Sequence, residues 1–176
     1  MATIRAEDAT SVALPDLEAP RPSGRETVPA EGFSDVPPFQ TLARIPHVET
    51  YPCSQCHNEP LKVLVANRPK EEPLSHWQVT MQHAPEEMMS CQTCHGAGNM
   101  DDLEMLNGKP ASYNAPYTLC SQCHMTQAKD WAGGAHGKRL DGWAGERVVE
   151  NCTGCHNPHA PAFAVRWPAQ LKRGVR

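Results

Sequence analysis

The sequence predicts a mainly α chain with much irregular structure, in which short helices and loops wrap bulky bodies that are not protein. Three observations carry this. Seventeen Pro and twelve Gly are scattered through 176 residues, so long regular elements are interrupted. Aromatic residues make up only 6% of the chain, so a core of side chains alone would be thin. All eight cysteines fall into four copies of one pentapeptide, Cys-x-x-Cys-His.

The copies are Cys53-Ser-Gln-Cys56-His57, Cys91-Gln-Thr-Cys94-His95, Cys120-Ser-Gln-Cys123-His124 and Cys152-Thr-Gly-Cys155-His156. This pattern is the attachment signal for c-type haem. Two residues between the thiols let both add to the vinyl groups along one porphyrin edge, and the next residue, His, falls under the iron. Zinc sites also use pairs of Cys-x-x-Cys, but neither zinc nor a disulfide scaffold requires His directly after each pair. With 9 His in 176 residues, chance would place one after all four pairs about once in 10⁵. The expectation is four covalently attached c-type haems, whose flat apolar faces form the core of a tetrahaem chain.

Along the chain, residues 1–45 read as an extended proline-rich arm. Pro15, Pro20, Pro22, Pro29, Pro37, Pro38 and Pro46 forbid a long helix. Phe33, Phe39, Leu42 and Ile45 are its apolar anchors for a partner subunit. Residues 46–160 form the tetrahaem domain, with first cysteines spaced by 38, 29 and 32 residues, a loose repeat. Within it, Pro73 to Met89 reads as a helix capped by Ser75, with Trp77, Thr80 and Met81 in one stripe. Pro85 breaks it, and Glu86-Glu87 open a second helix leading into Cys91. Thr118 to Trp131 reads as another helix, ended by Gly133-Gly134. Thr93, Thr118 and Thr153 read as solvent or capping residues. Residues 161–176 are a basic C-terminal tail.

The second axial position decides what such a haem does. A second side chain there leaves electron passage, whereas an open position admits small molecules. Five His lie outside the motifs: His47, His76, His83, His136 and His159. Full bis-His ligation by His76, His83, His136 and His159 is therefore expected, with His47 as substitute. On one helix, His76 and His83 would share a face about 10.5 Å apart and serve two haems. His136 sits in Gly133-Gly134-Ala135-His136-Gly137, where small neighbours admit a porphyrin. His159 lies too close to His156 to return to its own haem and should reach a neighbouring one. Met81, Met88, Met89, Met100, Met105 and Met125 are further ligand candidates, though packing is the commoner use of Met. Bis-His haems have lower potentials than His/Met haems.

Charge and compartment bound the partners. The arm over residues 1–50 carries eight acids and four bases, residues 51–160 carry twelve acids and eight bases, and the tail is +4. An acidic centre steers toward a basic partner, and nothing in the pattern indicates nucleic acid. No apolar run reaches the roughly 18 residues that span a bilayer; Leu61 to Ala66 is short and holds Lys62. Bacterial haem attachment to thiols takes place outside the cytoplasm, so the periplasm or cell surface is expected. An export signal is not visible: Met1 to Ala30 has no apolar stretch and carries Glu7, Asp8, Asp16 and Glu18.

The four motifs, the Cys-His-Asn-Pro-His run at 155–159 and Ala135-His136-Gly137 resemble multihaem class III-type cytochromes c over residues 47–160. The resemblance implies that a His shortly after a motif, or before a Gly, ligates a neighbouring haem, as His159 and His136 would. The segment from His76 to His83, the second motif and Ala132-Gly-Gly-Ala-His-Gly-Lys-Arg139 is similar to small tetrahaem subunits of quinone-linked membrane oxidoreductases with iron–sulfur partners. That implies a non-enzymatic electron relay between redox proteins, as one subunit of a hetero-oligomeric respiratory complex. The chain differs from small soluble class III proteins in its arm and tail. It lacks the anchor of quinol-dehydrogenase tetrahaem proteins, which argues against direct quinol oxidation. Two other readings remain open here. One is a subunit of an extracellular cytochrome filament, joined through the arm. The other is a reductase of a small oxyanion, with Lys129, Lys138 and Arg139 over an open haem.

Overall fold

The computed structural model describes residues 25–71, 76, 79–140, 142 and 145–163. Short helices and irregular segments dominate, as expected, but they are joined by a small sheet that the sequence did not predict. Its strands are β1 (Thr27–Pro29), β2 (Gln40–Leu42), β5 (Arg139–Leu140) and β6 (Val148–Val149), in the order β1-β2-β6-β5. β1 and β2 are antiparallel, as are β5 and β6. β2 runs parallel to β6, with Gln40 opposite Val148 and Thr41 opposite Val149. β3 (Leu103–Glu104) and β4 (Pro110–Ala111) form a separate hairpin.

Beside the sheet lie α2 (Tyr117–Cys120) and α3 (Met125–Gly133). The expected continuous helix from Thr118 to Trp131 is thus two helices, because His124 leaves helical geometry at φ −100°, ψ 49°. Its end is as expected: Gly134 closes α3 in the left-handed conformation at φ 88°. Arg147 adds a second cap, donating from its guanidinium to the Trp131 and Ala132 carbonyls while lying 4.4 Å over the Phe39 ring.

The core is an aromatic cluster. Phe39, Tyr117, Trp131, Ala132 and Val149 are buried together, with Phe33 packed against them. Ring centres of Phe39 and Trp131 are 5.2 Å apart, and those of Tyr117 and Trp131 are 5.1 Å apart, within the range of favourable aromatic pairs. The polar edges are satisfied: Trp131 Nε1 donates to the Glu150 carbonyl at 3.0 Å, and the Tyr117 hydroxyl accepts from the Glu31 amide at 2.9 Å. Phe33 and Phe39, expected as anchors on a partner, therefore pack into the chain's own core. Leu42 ends β2, and Ile45 opens a 3-10 turn to His47. Residues 1–24 of the arm and residues 164–176 of the tail lie outside the described residues.

Among the described residues of the expected helix over Pro73 to Met89, residue 76 and residues 79–89, no helix is formed. His76 sits at φ 66°, in the left-handed region that an L-residue helix excludes. Residues 79–85 are irregular, and Glu86–Met88 make only a turn. Pro73, Ser75 and Trp77 lie outside the described residues. α1 (Leu61–Asn67) follows the first motif, and α4 (Cys152–Cys155) coincides with the fourth.

Candidate haem sites

The four motifs share one backbone geometry. Cys53–Gln55 and Cys91–Thr93 are 3-10 turns, Cys120 ends α2, and Cys152–Cys155 is α4. In every copy the His amide donates to the carbonyl of the first Cys: His57 to Cys53 at 2.9 Å, His95 to Cys91 at 3.0 Å, His124 to Cys120 at 2.9 Å and His156 to Cys152 at 2.9 Å. One closed turn puts the two thiols on one side with the imidazole following them. Each turn is anchored differently. Ser54 N donates to Asp101 at 2.9 Å in the first. Ser90 and Thr93 cap the second reciprocally, as expected for Thr93. Thr118 Oγ1 donates to the Ala115 carbonyl at 2.8 Å in the helix that carries the third.

Every motif imidazole faces one imidazole from elsewhere. Ring centres are 6.3 Å apart for His57 and His76, 6.3 Å for His95 and His159, 5.9 Å for His83 and His124, and 6.1 Å for His136 and His156. The ring planes are nearly parallel, at 12°, 21°, 17° and 12°. This is too far for stacking, where atoms approach to roughly 3.5–4 Å. It matches two imidazoles sharing one metal, since metal–nitrogen bonds of about 2.0 Å on either side bring ring centres to about 6 Å. His47 is exposed at the end of its turn and faces no imidazole among the described residues. His76 and His83 do not share a helix face; they face different motifs.

All eight cysteines are free of disulfides. Among the described residues, no three or more His, Cys, Asp or Glu gather to hold a bare metal ion. The imidazoles come in twos, a pattern suited to iron held equatorially by a macrocycle. A largely apolar cavity of about 350 Å³ is lined by both the His83/His124 and the His136/His156 pairs, with Cys120, Cys152 and Cys155 at its wall. These residues fit covalently held haem.

The chain's own groups prepare these sites. Burial pushes the imidazolium pKa of His95 and of His159 down, so both are held neutral, the form that binds iron. Burial pushes the Cys94 thiol up. Cys120 is pushed up chiefly by its hydrogen bond to Cys152, which is correspondingly held down; this applies before the thiols become thioethers. Ring nitrogens facing away from the partner imidazole differ in environment. His83 Nδ1 meets the Pro158 carbonyl at 2.9 Å, and His156 Nδ1 meets the Pro161 carbonyl at 3.1 Å. His95 Nδ1 meets the Tyr113 hydroxyl at 3.1 Å. His57 Nδ1 is buried with no partner among the described residues. These neighbours carry no sequence pattern, and the sequence reading did not find Tyr113.

The class III cytochrome C family matches residues 60–169. The chain belongs to the class III cytochrome c family. Its members are electron-transfer proteins that bind haem covalently and are typically periplasmic, and the family implies electron transfer for this class III cytochrome. The high-molecular-weight cytochrome c of Nitratidesulfovibrio vulgaris is 32% identical over 127 residues, 69% of this cytochrome and 17% of that protein. The chain thus spans a small fraction of the length of this multihaem relative. No solved structure matches. The family match covers three motifs and His76, His83, His136 and His159, and leaves the first motif outside it. Among the described residues, no helix is long and apolar enough to cross a membrane.

Proposed function

We propose that this class III cytochrome holds four haems and relays single electrons between redox proteins outside the cytoplasm, as a subunit of a respiratory complex. The haem-bearing part is residues 46–160. The observation that carries the reading is the set of four facing imidazole pairs. The first site comprises Cys53, Cys56, His57 and His76, and the second Cys91, Cys94, His95 and His159. The third comprises Cys120, Cys123, His124 and His83, and the fourth Cys152, Cys155, His156 and His136. Bound haem supplies iron that alternates between ferric and ferrous states. The protein's part would be to offer each haem two imidazoles, one from the motif and one from elsewhere, which would close the iron to small molecules and keep potentials low. An oxyanion reductase needs an iron without a second imidazole, and no motif lacks one.

Contacts between sites support a linear order. The first and second meet at Tyr113, whose ring packs edge-on against Tyr51, two residues before Cys53, and whose hydroxyl is 3.1 Å from His95 Nδ1. The second and third meet where the Gln82 amide donates to the His159 carbonyl at 2.6 Å and His83 meets Pro158. The third and fourth share the apolar cavity and the Cys120–Cys152 contact. Electrons would enter and leave through the first and fourth sites, toward iron–sulfur or quinone-linked membrane subunits. The test is electron paramagnetic resonance on the oxidised protein. Four low-spin ferric haems are expected, and His136→Ala should turn one of them high-spin. A high-spin haem in the parent protein, or an unchanged spectrum in the variant, overturns the assignment.

A further inference from the structure

The first motif lies outside the family match, and side chains from within the match reach its neighbourhood: Asp101 accepts from Ser54, Asn114 accepts from Arg44 and Ile45, and Tyr113 links it to the second motif's imidazole. The Tyr113 ring meets Tyr51, two residues before Cys53, edge-on at 6.2 Å and 73°. On the other side its hydroxyl is 3.1 Å from His95 Nδ1 and 3.3 Å from the Met100 carbonyl. With the remaining ring nitrogen of His95 on iron, Nδ1 carries the proton and donates to the phenol oxygen. The phenol in turn donates to Met100.

We propose that Tyr113 is a positioning residue that fixes the His95 imidazole and sets the potential of the second haem, where electrons cross between the first site and the other three. The inference rests on the axial roles given above. An acceptor on Nδ1–H makes an imidazole a stronger donor and favours ferric iron. Among the described residues, the other ring-nitrogen partners, Pro158 and Pro161, offer backbone carbonyls that no substitution removes. Among the described residues Tyr113 is the side chain in this role, and the buried His57 Nδ1 has no partner. The second haem's potential is thereby lowered relative to the same site without the hydroxyl.

The test is Tyr113→Phe in the fully loaded protein, with each haem's reduction followed by NMR. The ring contact with Tyr51 is kept and only the hydroxyl is lost. The expected result is a rise in the second haem's potential, with about a tenfold change in its reduction equilibrium, equal to 59 mV for one electron. The other three potentials stay in place and all four haems stay low-spin. Four unmoved potentials in a low-spin, four-haem variant overturn the Tyr113 role alone. A high-spin haem in the parent overturns the ligand reading beneath it. If the variant fails to fold, the parent grown with 3-fluorotyrosine gives the same test. Its phenol is a weaker acceptor, so the second haem should rise by a smaller step, and no rise overturns the proposal.

Discussion

Two halves of this cytochrome are held together by different materials. Around the sheet, side chains do the packing: Tyr117 is 1% exposed, Trp131 3% and Thr41 0%. Between Arg44 and Pro110, only Gly96 and Leu103 are buried among the described residues. Yet this second region carries two motifs, His76 and His83, and its imidazoles stand at metal-sharing distance. The lesson is that a segment can have a defined course with few buried side chains, which is what a core of cofactors, as proposed above, would require.

The largest test of this contrast is removal of haem. A chain produced without haem attachment should lose amide protection across residues 48–110, roughly to that of an unfolded chain. Protection at β2 and β6 should fall less, as hydrogen exchange would show; equal loss in both halves would erase the distinction. Next in size, Trp131→Ala should destabilise the loaded protein by about 3–5 kcal/mol, read by chemical denaturation. Arg147→Ala removes the α3 cap and the Phe39 contact. It should lower stability by about 2 kcal/mol in the same assay, with haem spectra unaltered. The smallest effect concerns the turn of the first motif. Hydrogen bonds from Ser54 hold Asp101 below its usual pKa. A carboxylate with a depressed folded pKa stabilises above its unfolded value, and this is lost as pH falls through the folded one. The thermal midpoint should therefore drop slightly as acid protonates Asp101, and Asp101→Asn should flatten that part of the profile.

What could be read from the sequence follows the same division. The motifs, the left-handed stop at Gly134 and the set of four outer imidazoles are local patterns, and the structure brings each imidazole opposite a motif. The sheet was not legible, because its strands are two or three residues long and Pro29 ends β1. Its central pairing joins Thr41 to Val149, far apart in sequence, where no periodicity reaches. The helix expected near His76 failed because apolar spacing cannot report a positive φ. Nor could spacing show which imidazole faces which motif. His83 passes over the second motif to the third, and His159 returns to the second.

That interleaving has a consequence for biogenesis. A chain emerging N-terminus first can complete the His57–His76 pair as soon as residue 76 has crossed. The His95 site must wait for His159, almost the last structured residue described. On the ligand assignment proposed above, the second site would be the last to bring both of its imidazoles together, and a haem attached there would wait longest with one face uncovered.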